Sequence, residues 1–360
     1  MRIVILAASN SIHTVRWVNS LSEAGVDIHL VSQHGRSNSV SESVKQHVLP
    51  YSGGKGYFLN VFALKRLLSE IQPDILHSHY ATGYGTLGRL ANYKPYLLSV
   101  WGSDVYDSPD ESKIMRYLVV ENLKSATAIA STSLCMAKKT NELFDFETKP
   151  IYITPFGVDT ELFSSRITYS NQSAFTIGTV KTIEDKYGID TLIRGFALFM
   201  QYAEKPIKDY QLKIVGEGSK FNEMVGLVAE LNIKSNVIFV GRVEHHKVPQ
   251  ELNSFDVYAA LSRLDSESFG VAVVEASACE LPVIVSNVGG LPEVVEHGKT
   301  GYIINKNSPE DFAKALFKLV SESDLCRELG VNGRNRVVEY YSWDESVRKM
   351  LNLYSDLARE

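Results

Sequence analysis

Short apolar runs rich in β-branched residues alternate with helical patterns along most of this chain, and the series occurs twice. Each run is too short for a helix, and the segment after it has apolar residues every three or four positions. Such alternation is typical of parallel sheets whose strands are joined by helices. The polar stretch Ser164–Ser173 separates the two series and is predicted to be a linker. The sequence therefore predicts two doubly wound α/β domains.

The predicted strands of the first half are Ile3–Ala7, Val26–Ser32, Asp74–His77, Tyr96–Val100, Thr127–Ser131 and Ile151–Thr154. Those of the second half are Phe175–Val180, Gln211–Val215, Val237–Val240, Val257–Ala260 and Pro282–Ser286. The predicted helices are His13–Ala24, Phe58–Ile71, Ile114–Leu123, Asp190–Ala203, Lys220–Leu231, His246–Asn253, Gly270–Cys279, Pro309–Glu322 and Ser342–Leu357.

Length and composition narrow the class of protein. A chain of 360 residues fits two domains. Its hydrophobic fraction of 44% and mean hydropathy of -0.07 exclude a largely disordered chain and a multi-span membrane protein. A net charge of -5 argues against a dedicated nucleic-acid binder. The three cysteines are far apart and form no zinc or disulfide pattern, which favours a reducing cytoplasm. With no apolar run of roughly 18 residues, any membrane contact is expected to be peripheral.

The most informative segment is Asp265–Ile284, which contains Glu267 and Glu275 eight positions apart. Phe269 and Gly270 are expected to open a helix whose free N–H groups suit phosphate or sugar oxygens. Glu275, about two turns into that helix, could accept hydrogen bonds from both hydroxyls of a ribose. The spacing of the two glutamates alone would equally fit a solvated helix face.

Two lysines stand where the first strand of the second half gives way to its helix. Lys181 follows the strand, and Lys186 precedes the helix. Lysine ammonium groups at such a junction could bind an anionic ligand. Solvated loop lysines are the alternative interpretation.

The full string Asp265–Ile284 resembles the E-x7-E region of the retaining glycosyltransferases of family 4. That resemblance implies the GT-B architecture, in which two Rossmann-like domains face a central crevice and a C-terminal helix crosses back to the first domain. It implies that Glu267 lies near the donor-sugar hydroxyls and that Glu275 binds the nucleotide ribose. The amides of Phe269, Gly270 and Val271 would face the sugar and phosphate. Family members usually have Gly-Arg-Leu and Lys-Gly where this chain has Thr179 and Lys186-Tyr187-Gly188. The resemblance therefore implies that Lys181 and Lys186 are the cation pair for the donor diphosphate, on which negative charge builds up as its bond breaks.

Three glycine-bearing turns are similar to family loops around the nucleotide and phosphates. Taken singly, each is an ordinary turn between a strand and a helix. The residues that the resemblance adds to the donor site are Gly216, Gly241, Arg242, Gly290 and Leu291.

The amino half carries weaker signals for an acceptor site. Its first turn lacks the Gly-x-Gly-x-x-Gly fingerprint, which counts against an NAD-dependent enzyme. The acceptor-side candidates are Asn10, His13, His79 and Trp101. Family members often have a reaction-centre histidine where Trp101 stands, so that role is not transferred. Asp104 is a candidate catalytic residue, and His77 and His79 are either structural or line the site.

The resemblance implies a retaining hexosyltransferase with the catalytic set Glu267, Lys186 and Asp104. It would move a sugar from a nucleotide-diphosphate donor, with UDP favoured over GDP, to a glycan or polyprenyl-diphosphate-linked glycan. Bacterial surface polysaccharide, such as O-antigen lipopolysaccharide or capsule, is the expected product. The expected domains are 1–163 with 342–360 for the acceptor and 174–341 for the donor.

No tightly bound metal or other cofactor and no nucleic-acid partner are expected. The expected location is the cytoplasm, with peripheral contact at the inner face of the membrane. Two alternatives remain open: a nucleotide-sugar 2-epimerase of the same fold, and a non-catalytic regulator that binds a nucleotide sugar.

Overall fold

The computed structural model describes residues 1–143, 149–165, 174–203 and 209–359. The chain divides into two compact units, one of Met1–Pro155 with the chain end from Ser346, the other of Phe156–Glu345. Each unit is built on a parallel sheet with helices between its strands. This confirms the predicted fold class of two Rossmann-like α/β domains. Most of the predicted linker, residues 166–173, lies outside the described residues.

The sheet of the first unit has the order β3-β2-β1-β4-β5-β6-β7. Its strands are β1 (Arg2–Leu6), β2 (Asp27–Ser32), β3 (Lys45–Val48), β4 (Ile75–His79), β5 (Tyr96–Val100), β6 (Ala128–Ser131) and β7 (Ile151–Ile153). The helices among them are α1 (Ile12–Glu23), α2 (Gly53–Leu59), α3 (Val61–Ile71), α4 (Gly83–Ala91), α5 (Ser103–Tyr106), α6 (Ser108–Glu111), α7 (Lys113–Ser125) and α8 (Leu134–Leu143).

The sheet of the second unit has the order β10-β9-β8-β11-β12-β13. Its strands are β8 (Phe175–Val180), β9 (Tyr210–Val215), β10 (Val237–Gly241), β11 (Val257–Ala260), β12 (Val283–Ser286) and β13 (Gly301–Ile304). The helices are α9 (Ile189–Tyr202), α10 (Phe221–Glu230), α11 (Val248–Leu252), α12 (Val271–Ala278), α13 (Leu291–Val294), α14 (Pro309–Ser321) and α15 (Ser323–Tyr340). The last helix, α16 (Trp343–Leu357), begins at the end of this unit and belongs to the first unit from Ser346 onward. Short 3₁₀ helices cover Asp185–Tyr187, Lys234–Asn236 and His245–Lys247.

Several elements lack the apolar pattern that sequence reasoning uses. The edge strand β3 reads Lys-Gln-His-Val and is only partly buried, so it has no apolar run. Helix α15 contains Gly330, where a Cβ would stand 2.0 Å from the Glu280 carbonyl oxygen. The close packing of α15 therefore requires glycine at this position, and glycine weakens a helix prediction because its helix propensity is low. The helix predicted at Phe58–Ile71 begins at Gly53 and is divided at Asn60.

The boundary between the units falls after Pro155, earlier than the predicted 163, and the chain returns at Ser346 instead of 342. Backbone hydrogen bonds explain the first difference. The Val158 N–H donates to the Tyr341 carbonyl (2.9 Å), and the Trp343 N–H donates to the Val158 carbonyl (2.8 Å). The segment after Pro155 is therefore tied to the second unit.

Each sheet has a point at which the strand order reverses. In the first unit β1 lies between β2 and β4, and in the second β8 lies between β9 and β11. Ligands of open α/β sheets bind outside the carboxyl ends of the strands at such points. Among the described residues, no helix combines the length and apolar composition that crossing a bilayer requires.

Candidate active site

An ion pair lies where β8 and β11 end. Lys181 Nζ is 2.7 Å from Glu267 Oε2, and their side chains are only 13% and 10% exposed. The Ser262 hydroxyl donates to the same Glu267 oxygen at 3.4 Å. Both charged residues were predicted site residues, and the structure brings them into direct contact. The pairing itself was not predicted, because 86 residues separate them in the chain.

The glycine loop after β12 fixes the backbone of Glu267. The Gly290 N–H donates to the Glu267 carbonyl (3.0 Å), and the Gly289 N–H donates to Asp265 Oδ1 (3.0 Å). A Cβ on Gly290 would stand 2.2 Å from the Ser268 carbonyl oxygen, so no other residue fits there. Gly290, predicted to bind the donor, is thus placed as a positioning residue for Glu267.

Helix α12 begins at the predicted turn. Gly270 has φ 86°, in the left-handed region that favours glycine. The N–H groups at the start of a helix have no acceptor within it, so those near Phe269, Gly270 and Val271 suit an anionic ligand. Leu291 was predicted to contact the donor, but it is fully buried beneath Gly270. Its side chain packs in the core, so any donor contact would be through its backbone, and that contact stays a prediction.

Lys186 lies on a 3₁₀ turn that the rest of the loop holds in place. The Arg263 N–H donates to the Lys186 carbonyl (2.8 Å), and Arg263 also pairs with Asp190. Gly188 has φ 63°, and a Cβ there would stand 2.0 Å from the Leu261 carbonyl oxygen. The backbone of Lys186 therefore depends little on its own side chain.

Tyr187, which departs from the family pattern, stands between the two candidate cations. Lys181 Nζ is 4.6 Å and Lys186 Nζ is 4.8 Å from the centroid of its ring. An aromatic face attracts cations. The structure thus brings both lysines to one aromatic ring, and their binding of one diphosphate stays a prediction.

Glu275 is buried on α12, where its Oε1 lies 2.8 Å from Nε2 of His245. His245 was missed by sequence reasoning, although it follows shortly after the predicted Gly241 and Arg242. Nothing in a lone histidine after a strand indicates a carboxylate partner 30 residues away. The arrangement gives the Glu275 carboxylate a fixed orientation on α12.

The turns after β9 and β10 support the same region. The Gly216 N–H donates to the Gly241 carbonyl (2.9 Å), and a Cβ on Gly216 would stand 2.0 Å from the Lys181 carbonyl oxygen. Gly216 therefore helps to place Lys181. Arg242 is exposed at the end of β10.

The first unit has a cavity of about 230 Å³ at the carboxyl ends of β1 and β4. Aromatic and histidine side chains dominate its walls, which include His34, Tyr57, His79, Tyr80, Tyr84 and Trp101. The ring centroids of His79 and Trp101 are 4.4 Å apart, and those of His13 and Trp101 are 5.9 Å apart. Of the four acceptor-side candidates, His79 and Trp101 therefore line the cavity and His13 contacts Trp101. Asn10 is exposed and does not line the cavity.

Tyr80 is one of several cavity residues that the sequence does not single out. It has φ 78°, a conformation that costs a non-glycine residue on the order of 1–3 kcal/mol. Its N–H donates to the Ser99 carbonyl, and its carbonyl accepts from the Gly85 N–H. The surrounding backbone thus holds a strained residue at the cavity wall.

Asp104, a predicted catalytic residue, is fully buried, and its side chain accepts hydrogen bonds from backbone N–H groups. Its Oδ1 accepts from the N–H groups of Trp101 (3.1 Å) and Gly102 (2.9 Å), and its Oδ2 accepts from the Ala81 N–H (2.8 Å). Burial raises the pKa of this carboxyl, and these hydrogen bonds oppose the rise. Asp104 therefore acts as a positioning residue for the loops that carry Tyr80 and Trp101.

The two histidines of β4 differ in their partners. His77 is fully buried between Tyr354 Oη and Ser99 Oγ, each 2.7 Å from a ring nitrogen, and burial lowers its pKa to about 3. His77 is therefore structural. His79 reaches the cavity, and burial keeps its pKa well below the usual value, so it is neutral near pH 7. The described residues contain no group of three or more histidine, cysteine or acidic side chains that could hold a metal ion.

Comparisons with known proteins assign the family. Residues 163–336 match the family model described as glycosyl transferases group 1, and residues 2–133 match that described as glycosyl transferase 4-like. An uncharacterized glycosyltransferase of Methanocaldococcus jannaschii is 27% identical over 97% of this chain and 94% of its own length. N-acetyl-alpha-D-glucosaminyl L-malate synthase of Bacillus anthracis is 24% identical over 94% and 92%.

The similarity extends to further proteins. The capsular polysaccharide biosynthesis glycosyltransferase CapM of Staphylococcus aureus is 24% identical over 99% of this chain and 97% of its own. In structure, Anabaena HepE in complex with UDP superposes with a TM-score of 0.84 at 16% identity, over 99% of this chain and 100% of that one. The two family models together match most of the chain, and the full-length relatives agree with them. The chain is therefore a glycosyltransferase of the GT-B fold and belongs to the family-4 type.

Proposed function

We propose that this enzyme transfers a sugar from a UDP-linked donor to a hydroxyl group with retention of the anomeric configuration. The observation that carries the proposal is the buried Lys181–Glu267 pair beside the start of α12 and the Gly289-Gly290 loop. Such a site offers cations and helix amides to a diphosphate and a carboxylate to the sugar hydroxyls. The relative HepE, which was solved with UDP, supports the choice of nucleotide.

In the proposed mechanism, the anomeric carbon loses its bond to the β-phosphate oxygen and gains a bond to the acceptor oxygen on the same face. The acceptor proton passes to the departing phosphate. Lys181 and Lys186 stabilise the charge that develops on the diphosphate, and Glu267 orients the sugar through its hydroxyls. No protein nucleophile is needed. Because lysines supply the positive charge, the reaction is proposed to need no tightly bound metal.

The proposed acceptor is a lipid-linked glycan of bacterial surface polysaccharide synthesis, met on the cytoplasmic side of the membrane. CapM, a relative over nearly the whole chain, is a capsular polysaccharide enzyme by its name. N-acetyl-alpha-D-glucosaminyl L-malate synthase, also a relative over nearly the whole chain, indicates a small hydroxy acid as the second candidate acceptor. The aromatic wall of the cavity favours a sugar ring, because sugars stack on such surfaces through their apolar faces.

A donor and acceptor panel tests the proposal. UDP- and GDP-sugars are each combined with polyprenyl-diphosphate-linked glycans and with L-malate, and the product anomer is read by NMR. We expect UDP release with the lipid-linked acceptor, a product with the donor's anomeric configuration and an unchanged rate in EDTA. An inverted anomer would refute retention. Sugar epimerisation without acceptor would favour the epimerase, and binding without turnover would favour a regulator.

Glu275 provides a separate prediction about donor affinity. Glu275→Ala removes a buried carboxylate that we expect to accept two ribose hydroxyl hydrogen bonds, so the donor Kd should rise roughly 10- to 100-fold. The control is His245→Ala, which leaves the carboxylate in place and should raise Kd far less. Isothermal titration with UDP measures both. Equal affinities in the wild type and Glu275→Ala would remove Glu275 from the nucleotide site.

A further inference from the structure

Helices α2 and α3 form one nearly continuous helix across Asn60. The Asn60 N–H donates to the Gly56 carbonyl (3.0 Å), and the Asn60 carbonyl accepts from the Leu64 N–H (2.8 Å). Hydrogen bonds to the fourth preceding residue thus continue through the junction. Side chains three or four positions apart therefore share one face across both helices.

One face of this helix is exposed, and its side chains recur every three or four positions. We call it the outer stripe, and its members are Lys55, Phe58, Leu59, Phe62, Lys65 and Arg66. The opposite face of α3 is buried in the domain core through Leu64, Leu68 and Ile71. The outer stripe is thus a fixed surface of a packed helix.

The apolar members of the outer stripe are unusually open to solvent. Phe62 is 85% exposed, Leu59 is 54% exposed and Phe58 is 49% exposed. A single exposed apolar residue needs no explanation, but several large ones on one stripe indicate a surface that another phase or molecule covers.

The charge of the segment that carries the outer stripe favours an anionic partner. Residues 43–69 contain no aspartate or glutamate, although the chain as a whole has a net charge of -5. Lys55 and Lys65 form no ion pair within the described part of the chain, and Arg66 pairs with Glu70 at 2.9 Å. Phenylalanine and leucine beside lysine and arginine are typical of helices that lie in the headgroup region of anionic bilayers. A second copy would bring the same positive stripe and be repelled.

The same helix also forms a wall of the cavity. Tyr57, next to Phe58, lines the cavity, and its ring centroid is 5.2 Å from that of Tyr84. A Cβ on Gly83 would stand 2.3 Å from the Tyr57 ring, so Tyr57 packs closely on α4. On α2, Tyr57 therefore faces the cavity, whereas its neighbour Phe58 faces the solvent.

We propose that the outer stripe docks this domain on an anionic lipid bilayer and so holds the cavity about one helix diameter, roughly 10 Å, from the headgroups. A cavity at that distance can receive an acceptor whose lipid part stays in the membrane. The proposal rests on the proposed function only for the lipid-linked nature of the acceptor.

Co-sedimentation of the full chain with phosphatidylglycerol vesicles, and with phosphatidylcholine vesicles for comparison, tests the docking surface. We expect binding to the anionic vesicles that weakens as salt is raised. Phe62→Ser should lower the partition coefficient about tenfold, and Lys65→Glu with Arg66→Glu should lower it roughly tenfold or more. Matched controls are Tyr202→Ser, an exposed aromatic of α9, and Lys138→Glu on α8, which should bind like the wild type.

Thermal melting and UDP binding accompany each variant, so that a folding defect or a failed donor site is recognised separately. Vesicle binding by a chain that binds no UDP would leave the docking surface standing and refute the donor. Equal binding by wild type and both stripe variants would overturn the docking surface, as would no binding to anionic vesicles. A dimer that is seen by sedimentation equilibrium and dissociated by Phe62→Ser would also overturn the docking surface, because a second copy would then cover the outer stripe.

Discussion

Lys186→Ala should lower kcat by on the order of 10²–10³, the usual cost of removing one preorganised group that stabilises developing charge. The donor Kd should change much less, because the charge on the diphosphate grows only as the glycosidic bond breaks. The fold should be unaffected, since Gly188 and the Arg263 hydrogen bond to the Lys186 carbonyl hold this turn. Steady-state kinetics with the transferred sugar, combined with UDP titration, separates the two effects.

Two further variants make the Lys186 result specific. Lys186→Arg keeps the charge and should recover part of the lost rate. Lys299→Ala removes a lysine that is paired with Glu296 on the surface, and its kcat should match the wild type. If Lys186→Ala retained normal kcat while Lys181→Ala did not, Lys181 alone would serve the diphosphate.

Asp104→Ala should lower the free energy of unfolding by about 3 kcal/mol or more, because three buried N–H groups lose their acceptor. For a domain of this size the unfolding transition of the first unit should fall by roughly 6–12 °C. Calorimetry of the full chain measures it. UDP binding should persist at temperatures at which both units are folded, since the candidate donor residues all belong to the second unit.

Asp104→Asn is the matched variant. Its amide oxygen can still accept from the Trp101 and Gly102 N–H groups, but its NH₂ group then faces the Ala81 N–H. The loss should be intermediate. A normal transition temperature combined with a large fall in kcat for Asp104→Asn would instead restore Asp104 as a catalytic residue.

Patterns among residues close in sequence predicted most of the strands and helices of the second unit. Strand β8 with Lys181 and the turn before α12 with Glu267 follow from apolar runs and glycines that are close in sequence. The Lys181–Glu267 and Glu275–His245 pairs could not be predicted, because parallel β-α connections bring together residues far apart in the chain. The family resemblance supplied the roles of the two glutamates but gave no sign of His245.

The first unit was less predictable for a different reason. The role of a buried side chain in this unit depends on which backbone N–H and carbonyl groups surround it, and the sequence does not show those contacts. An aspartate after a strand has the same sequence signal whether it meets a ligand or, like Asp104, accepts from three buried amides. The exposed face of α2 and α3 was also missed, because the apolar period of residues 58–71 does not reveal which members remain in solvent.

The hydrogen bond between His77 and Tyr354 has a consequence for the order in which the two units can fold. The first unit needs α16, which follows the whole second unit in the chain, to enclose His77 on β4. The second unit is continuous from Phe156 to Glu345. Domains fold as units while the chain emerges from the ribosome. The first unit should therefore complete its core only after the whole second unit has been translated.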